Sequence, residues 1–498
     1  MGGNPREGSI PSSAICSQIF LLKFRMSYDA VVVGSGPNGL AAGITLAQSG
    51  KKVLLLEARN QIGGGMRSAE LTLPGYVHDV CSAIHPLAMA SPFFANLRLE
   101  NFGLEWIEPS VPLVHPMLDG SSAVMERDLM QSILAFGEDG PPYQRLVEPF
   151  VQRADILLPQ LLNPPWPIGN IRALTRFAMK GFSSAVSLLQ RHFRSPAMRG
   201  MFAGMAAHSV RPLESPLTGA VGLLFCITAH ASGWPLPRGG SHSIASAMRA
   251  LFESLGGEVQ IDIPIATFGE LPPCQAVLFD LAPSAVSRIA GEQLPPRYRK
   301  TLDQFRHGPG VFKIDWALDG AIPWTNENAA KAGTVHVGGD WEEIAESESA
   351  VWKGQIPERP FVLLAQQSLF DQTRAPEGKQ TGWAYCHVPP RCDEDMTERI
   401  EAQIERFAPG FRDLILERHV FSPSDFEAYN ANYIGGDITG GVFDLKQFLA
   451  RPALRRSPYT TPNEKIYICS ASTPPGGGVH GMCGYHAARA ALDRVLLD

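Results

Sequence analysis

Six residues near the start of the chain, Gly34-Ser35-Gly36-Pro37-Asn38-Gly39, have the spacing GxGxxG, and an acid, Glu57, follows 18 residues after the last glycine. Together they suit the binding of a dinucleotide. Gly34 allows a tight turn, Gly36 lets a pyrophosphate approach the backbone, and Gly39 lets a helix pack close to a strand. The N-terminus of that helix offers free N–H groups and a positive dipole end to phosphates. An acid about 20 residues on accepts from ribose hydroxyls. A second glycine-rich run, Pro474-Pro475-Gly476-Gly477-Gly478-Val479-His480-Gly481, stands near the other end of the chain. Its N–H groups, and those of a helix after it, suit the stabilisation of negative charge on a bound ring system.

These residues need elements to place them. Ala30 to Val33 are small or β-branched and read as a buried parallel strand. Leu40 to Gln48 reads as a helix stopped by Gly50, and Lys52 to Leu56 as a second apolar strand ending at Glu57. Strand, GxGxxG, helix, strand and acid in this order are far more specific than the glycines alone. Ser243 to Leu255 reads as a helix, and Val259 to Ile265 and Val277 to Asp280 as strands. Ile466 to Cys469 is a final buried strand, followed by the glycine run and a helix to Leu497. Small residues at Gly481, Gly484, Ala487, Ala488 and Ala491 let this helix approach a cofactor. The fold class is α/β.

Glu57-Ala58-Arg59 followed by Gly63-Gly64-Gly65-Met66-Arg67 resembles the extended FAD signature of glutathione-reductase-like flavoproteins. Amine oxidases of that group carry Gly-Gly-Arg. Here Gly65 takes the third position and Arg67 stands two residues on, a departure that leans towards the phytoene-desaturase branch. The Pro-Gly-Gly-Gly-Val-x-Gly run with its Ala-rich helix resembles the C-terminal signature of phytoene dehydrogenases, carotenoid isomerases and their relatives. The nearest resemblance is to the subgroup that includes pyridine nucleotide-disulfide oxidoreductase domain-containing protein 2. It covers residues 27–498 and is specific at both ends, loose in the middle.

The resemblance implies a discontinuous glutathione-reductase-like FAD-binding Rossmann domain, residues 26–95, 233–300 and 455–498. It also implies an α+β substrate domain with a β-sheet and a helical lid, residues 96–232 and 301–454. FAD is the one tightly bound cofactor expected. The residues implied to hold it are Gly34, Gly36, Pro37, Asn38, Gly39, Glu57, Ala58, Arg59, Gly64, Gly65, Met66, Arg67, Ser82, Val259, Gly477, Gly478, Val479 and Gly481. The implied activity is hydride transfer from a hydrophobic small-molecule substrate to FAD, in a desaturation or other dehydrogenation. A flavin-dependent polyene isomerase, an amine oxidase and a flavin-bound interaction protein are the alternatives.

Two residues are candidates for catalysis. In Gly310 to Leu318, strand alternation puts Phe312, Ile314, Trp316 and Leu318 on one face and Lys313 with Asp315 on the other. Lys313 matches the amine-oxidase lysine that holds a water beside the flavin; the alternative is a solvent-facing strand lysine. The segment Gly75 to Pro86 resembles the family's stretch beside the flavin ring, with Ser82 and His85 as ring neighbours. His85 is a candidate proton relay because an ordinary imidazole titrates near neutral pH. A structural histidine is the alternative.

The rest of the sequence sets bounds. The 498 residues are 45% apolar and 18% charged, enough for a large core without staples. The net charge of −6 gives no sign of nucleic-acid binding. No apolar run reaches the ~18 residues of a spanning helix. None of the eight cysteines forms a CxxC pair, which speaks against a redox disulfide and for reduced thiols in a cytosol-like compartment. His480, Cys483 and His486 lack a further ligand cluster, so no metal is expected. Residues 1–25 read as a poorly ordered extension, with organelle targeting as the less favoured reading. Residues 151–210 carry seven Arg or Lys and one acid among aromatic and aliphatic residues. They read as amphipathic helices over a core, or as a basic, apolar lid in peripheral contact with a membrane. The sequence leaves the oligomeric state open.

Overall fold

The computed structural model describes residues 27–164 and 171–497, so the expected extension at 1–25 lies outside the described residues. The strand Tyr28–Val33 is the centre of a five-stranded parallel sheet. Its neighbours are Cys274–Phe279 and then Ile466–Ile468 on one side, and Val53–Leu56 and then Glu258–Gln260 on the other. These strands come from three separated stretches of the chain. Their near-continuous burial is what a parallel sheet covered on both faces requires. Alternation sends Ala30 and Val32 towards the helices Pro37–Gln48, His242–Ser254 and Met482–Leu492. Val31 and Val33 face the opposite cluster, built on the helices Pro283–Ala290 and Pro296–Asp303.

The expected strand from Val259 to Ile265 is shorter in the structure, stopping at Gln260. Asp262 takes a φ of 57°, and Pro264 has no N–H for a ladder, so the chain leaves the sheet there. The C-terminal helix ends at Leu492 rather than Leu497.

A second, seven-stranded sheet runs in the order Ile415–Phe421, Gly310–Leu318, Gln380–Val388, Val362–Ala365, Ala332–Val337, Val111–Pro116 and Ser122–Met125. All its pairings are antiparallel except that of Ala332–Val337 with Val111–Pro116. Phe312, Ile314, Trp316 and Leu318 pack in one cluster with Ile400 and Ile404 of the helix Thr397–Glu405. The opposite face meets the helices Gly140–Val151, Pro196–Ala207 and Thr218–Ala231 through Leu113, Met125 and Leu363. The 151–210 stretch buries Leu157, Leu188, Phe193 and Phe202 against this core, as amphipathic helices do. A cavity of about 1360 Å³ is lined from both sheets and from these helices.

Candidate functional site

One end of the cavity is built by the glycine turn. Gly34, Gly36, Pro37 and Asn38 line it, and Gly39 lies behind, giving its N–H to Asp280 Oδ2 at 2.9 Å. A Cβ at Gly36 would fall 2.6 Å from Asp280 Oδ2, and one at Gly39 2.0 Å from the Gly34 oxygen. The turn therefore keeps its backbone bare towards the cavity, as a pyrophosphate needs. Glu57 is buried beside it. Its Oε2 accepts from the Ser35 N–H at 3.1 Å and from the Ser35 hydroxyl, and its Oε1 from the Arg59 N–H at 2.9 Å. Arg67 pairs with Glu57 Oε1 at 3.3 Å and lies 5.2 Å from the Tyr429 ring centre. Ala58, Arg59, Gly64, Gly65, Arg67 and Ser82 all line the cavity.

From the C-terminal run, Gly477, Gly478, Val479 and His480 line the same cavity. Gly481 begins the last helix with a φ of 68°, close against Phe93. Besides Gly39, three expected contacts fall outside this lining. Met66 is buried in the core under the first helix, Gly481 packs on Phe93, and Val259 packs into the same core. Where the chain leaves the sheet, Ile263, Pro264 and Ile265 reach the cavity instead. His480 and Cys483 turn to backbone carbonyls, both reaching Gly476 and Cys483 also Thr473, while His486 meets Asn163.

Asp280 was not singled out by the sequence reading. It lines the cavity at the end of the strand Cys274–Phe279, on the other side of the glycine turn from Glu57. Burial, reinforced by the Glu57 charge, pushes its carboxyl up to about 7. The signal was present in outline: an acid closing a buried parallel strand, as Glu57 does.

The residues Ser82–His85 form the next part of the wall, and the strand Val77–Asp79 leads into it from behind. Asp79 is buried and accepts from the Ser241 N–H and the Ser68 hydroxyl, each at 2.7 Å, and from Arg374. The Trp383 indole N–H donates to its carbonyl at 2.9 Å. Ser241 in turn donates its hydroxyl to the Ser82 carbonyl and meets His85 Nε2 at 2.8 Å. With the Ser241 proton so used, His85 Nε2 is the donor and Nδ1 carries the lone pair. Burial pushes His85 down to about 4, so it is neutral at physiological pH rather than titrating there as an ordinary imidazole does.

Lys313 is buried and pairs with Asp315, two residues on along the same face of its strand. Its Nζ is 5.7 Å from the ring centres of both Trp383 and Phe421. His78 Nδ1 lies 3.5 Å from Asp315 Oδ1. Burial lowers the Lys313 ammonium and pushes the Asp315 carboxyl up to about 6. Lys313 is thus neither solvent-facing nor part of the cavity lining; Trp383 and Cys81 line the wall in front of it.

The far half of the cavity is apolar, with Phe177, Leu224, Phe225, Trp234 and Leu363 among its lining residues. Met179 and Phe182, the latter also in the lining, are 68% and 52% exposed. No helix among the described residues is long and apolar enough to cross a membrane.

The description NAD(P)-binding Rossmann-like domain matches residues 32–95. Pyridine nucleotide-disulfide oxidoreductase domain-containing protein 2 of Rattus norvegicus is 24% identical, over 93% of this chain and 92% of its own. Phytoene desaturase (lycopene-forming) of a Paracoccus species is also 24% identical, over 94% of this chain and 97% of its own. A double mutant of putrescine oxidase shares the fold with a TM-score of 0.64 at 17% identity, covering 94% of this chain and 99% of that one. These relatives bear out the resemblance carried by the two glycine motifs.

Proposed function

We propose that this chain, an FAD-dependent oxidoreductase related to the phytoene desaturases, takes a hydride from an apolar substrate lodged in the cavity between its two sheets. The observation that carries this reading is continuity. One cavity joins a bare glycine turn and a ribose-accepting acid to an apolar half large enough for a lipid-like molecule. FAD, when bound, supplies the hydride acceptor, and the protein supplies position and electrostatics.

In this reading the N–H groups of Gly36 and Asn38 would hold the pyrophosphate, and Glu57 would hold the ribose. Arg67 keeps the Glu57 carboxylate in place through their ion pair. Ser82 and the backbone of Gly477 to Val479, from opposite ends of the chain, would hold the ring system. His85 presents a lone pair at the cavity wall, fixed by Ser241. Lys313 and Asp315 act from behind the wall as positioning residues for Trp383. The apolar lining excludes water from the reacting carbon. Apolar substrate enters past Phe182 from a membrane surface on which the basic helix Ile171–Gly181 rests.

The test is the visible spectrum of the purified protein under anaerobic conditions, before and after addition of polyenes, apolar alkenes and primary amines. Bleaching of the flavin band by an apolar alkene or polyene is the expected result. Bleaching by amines alone would replace this reading with an amine oxidase, and an untouched band would remove the oxidation altogether.

A further inference from the structure

We infer that the apolar cavity ends in a wall that recognises a hydroxyl, formed by His387 with Glu348, Ser209 and His208, so that the substrate is a hydrophobic alcohol and not a bare hydrocarbon. This rests on the reading that the cavity holds the substrate.

The strand Gln380–Val388 runs along the cavity. Its alternation puts Trp383, Tyr385 and His387 on one face, and all three line the cavity. Their rings follow one another at 5.3 and 5.7 Å. Trp383 is anchored to the Asp79 carbonyl, next to Ser82 and the ring end of the site. Four residues of strand separate it from His387, a span of about 13 Å. A substrate that reaches from one to the other passes Tyr385 and Leu363 and then meets polar atoms.

Three of those atoms lack a partner among the described residues. His387 Nδ1 lies 2.8 and 3.0 Å from the two Glu348 oxygens, and both side chains are buried. A carboxylate only accepts, so Nδ1 carries the hydrogen, and in the neutral imidazole Nε2 offers a lone pair. Among the described residues Nε2 has no hydrogen-bond partner, nor do the Ser209 hydroxyl and His208 Nε2. His208 and Ser209 follow directly on the helix Pro196–Ala207, and both line the same cavity. Burial keeps His208 neutral, its ring pushed down to about 3 and tilted on Phe225 at 4.5 Å.

A buried polar atom left without a partner is costly, and three on one wall call for a ligand that satisfies them. An alkane satisfies none. A carboxylate would bring a second negative charge towards Glu348 and accept where His387 needs a donor. A neutral hydroxyl does both things required: it donates to His387 Nε2 and accepts from Ser209 or His208.

The test uses the flavin-loaded protein and three probes of one chain length, 1-decanol, decane and decylamine, titrated against the flavin absorption band. His387→Phe and Ser209→Ala are compared with the unaltered protein. Each variant should weaken decanol binding by about tenfold, the worth of one buried hydrogen bond, and leave decane binding unchanged. Ser209→Ala keeps Glu348 paired, so it decides the matter alone if His387→Phe fails to fold. Equal decanol affinity in both variants and the unaltered protein would overturn the inference, as would decylamine binding more tightly than decanol. If decane shifts the band while decanol ignores the substitutions, only the hydroxyl wall is lost. If no probe shifts the band, the substrate cavity is lost with it.

Discussion

At the scale of single residues, Asp280 offers the sharpest prediction. Its carboxyl sits near 7 in the fold against an ordinary value of 3.8 because burial disfavours its charge. The folded protein therefore holds a proton that the unfolded chain has released between about pH 4 and pH 7. Stability from this group is full below that window and is lost as pH rises through it. Asp280→Asn keeps an acceptor for the Gly39 N–H and removes the titration. We expect the variant to be more stable than the unaltered protein at pH 8, by roughly 1–3 kcal/mol, with the two converging as pH falls to about 4. Urea unfolding at both pH values checks this; parallel curves would show that Asp280 is not the source. Lys313 shows how far a residue can be read from sequence. Strand alternation assigned its face and its companion Asp315. Its burial depends on His78, Trp383 and Phe421, which come from distant parts of the chain. The pair Glu348 and His387 was invisible for the same reason: the partners are 39 residues apart, with the strand Val362–Ala365 between their elements.

At the scale of elements, local sequence was a good guide wherever it dictates a local shape. The strand, glycine turn and helix at the start follow from adjacent residues, and so does the final glycine run. The stretch after Val259 was misjudged because a positive φ at Asp262 breaks what reads as a run of alternating apolar residues. The small residues of the C-terminal helix were read as room for a cofactor. In the structure they are room for the first helix: a Cβ at Gly484 would fall 1.8 Å from the Asn38 oxygen. Asn38 lines the cavity, so this contact ties the two ends of the chain to the site. Gly484→Leu should cost about 1–3 kcal/mol through overpacking and release flavin as the helices part. A lowered thermal midpoint together with a weaker flavin band after gel filtration is the expected pair of results. A lowered midpoint with full flavin occupancy would uncouple the helix contact from the site.

At the scale of the whole molecule, the exposed apolar side chains Met179 and Phe182 lie on a helix end with Arg176 and Lys180, beside the cavity. Apolar groups with a basic fringe favour an anionic lipid surface. Co-sedimentation with vesicles containing anionic lipid should retain the protein, and Met179→Ser with Phe182→Ser should release most of it. Recovery of the unaltered protein in the supernatant would count against a membrane route for the substrate. The composition and charge fit this picture without specifying it, since the relevant surface is assembled by folding.

The parallel sheet is completed only by Ile466–Ile468, more than four hundred residues after its central strand Tyr28–Val33. A ribosome adding about 5–20 residues per second takes roughly 20–90 s to cover that distance. For all that time the nascent helix Pro37–Gln48 waits with the face meant for Met482–Leu492 uncovered, an apolar surface that chaperones recognise. On the proposed assignment of the C-terminal glycines, the nucleotide would be gripped from both sides only after the last codons are read and the C-terminus leaves the exit tunnel, so a stop codon near the 3′ end would cost the cofactor and not merely a tail.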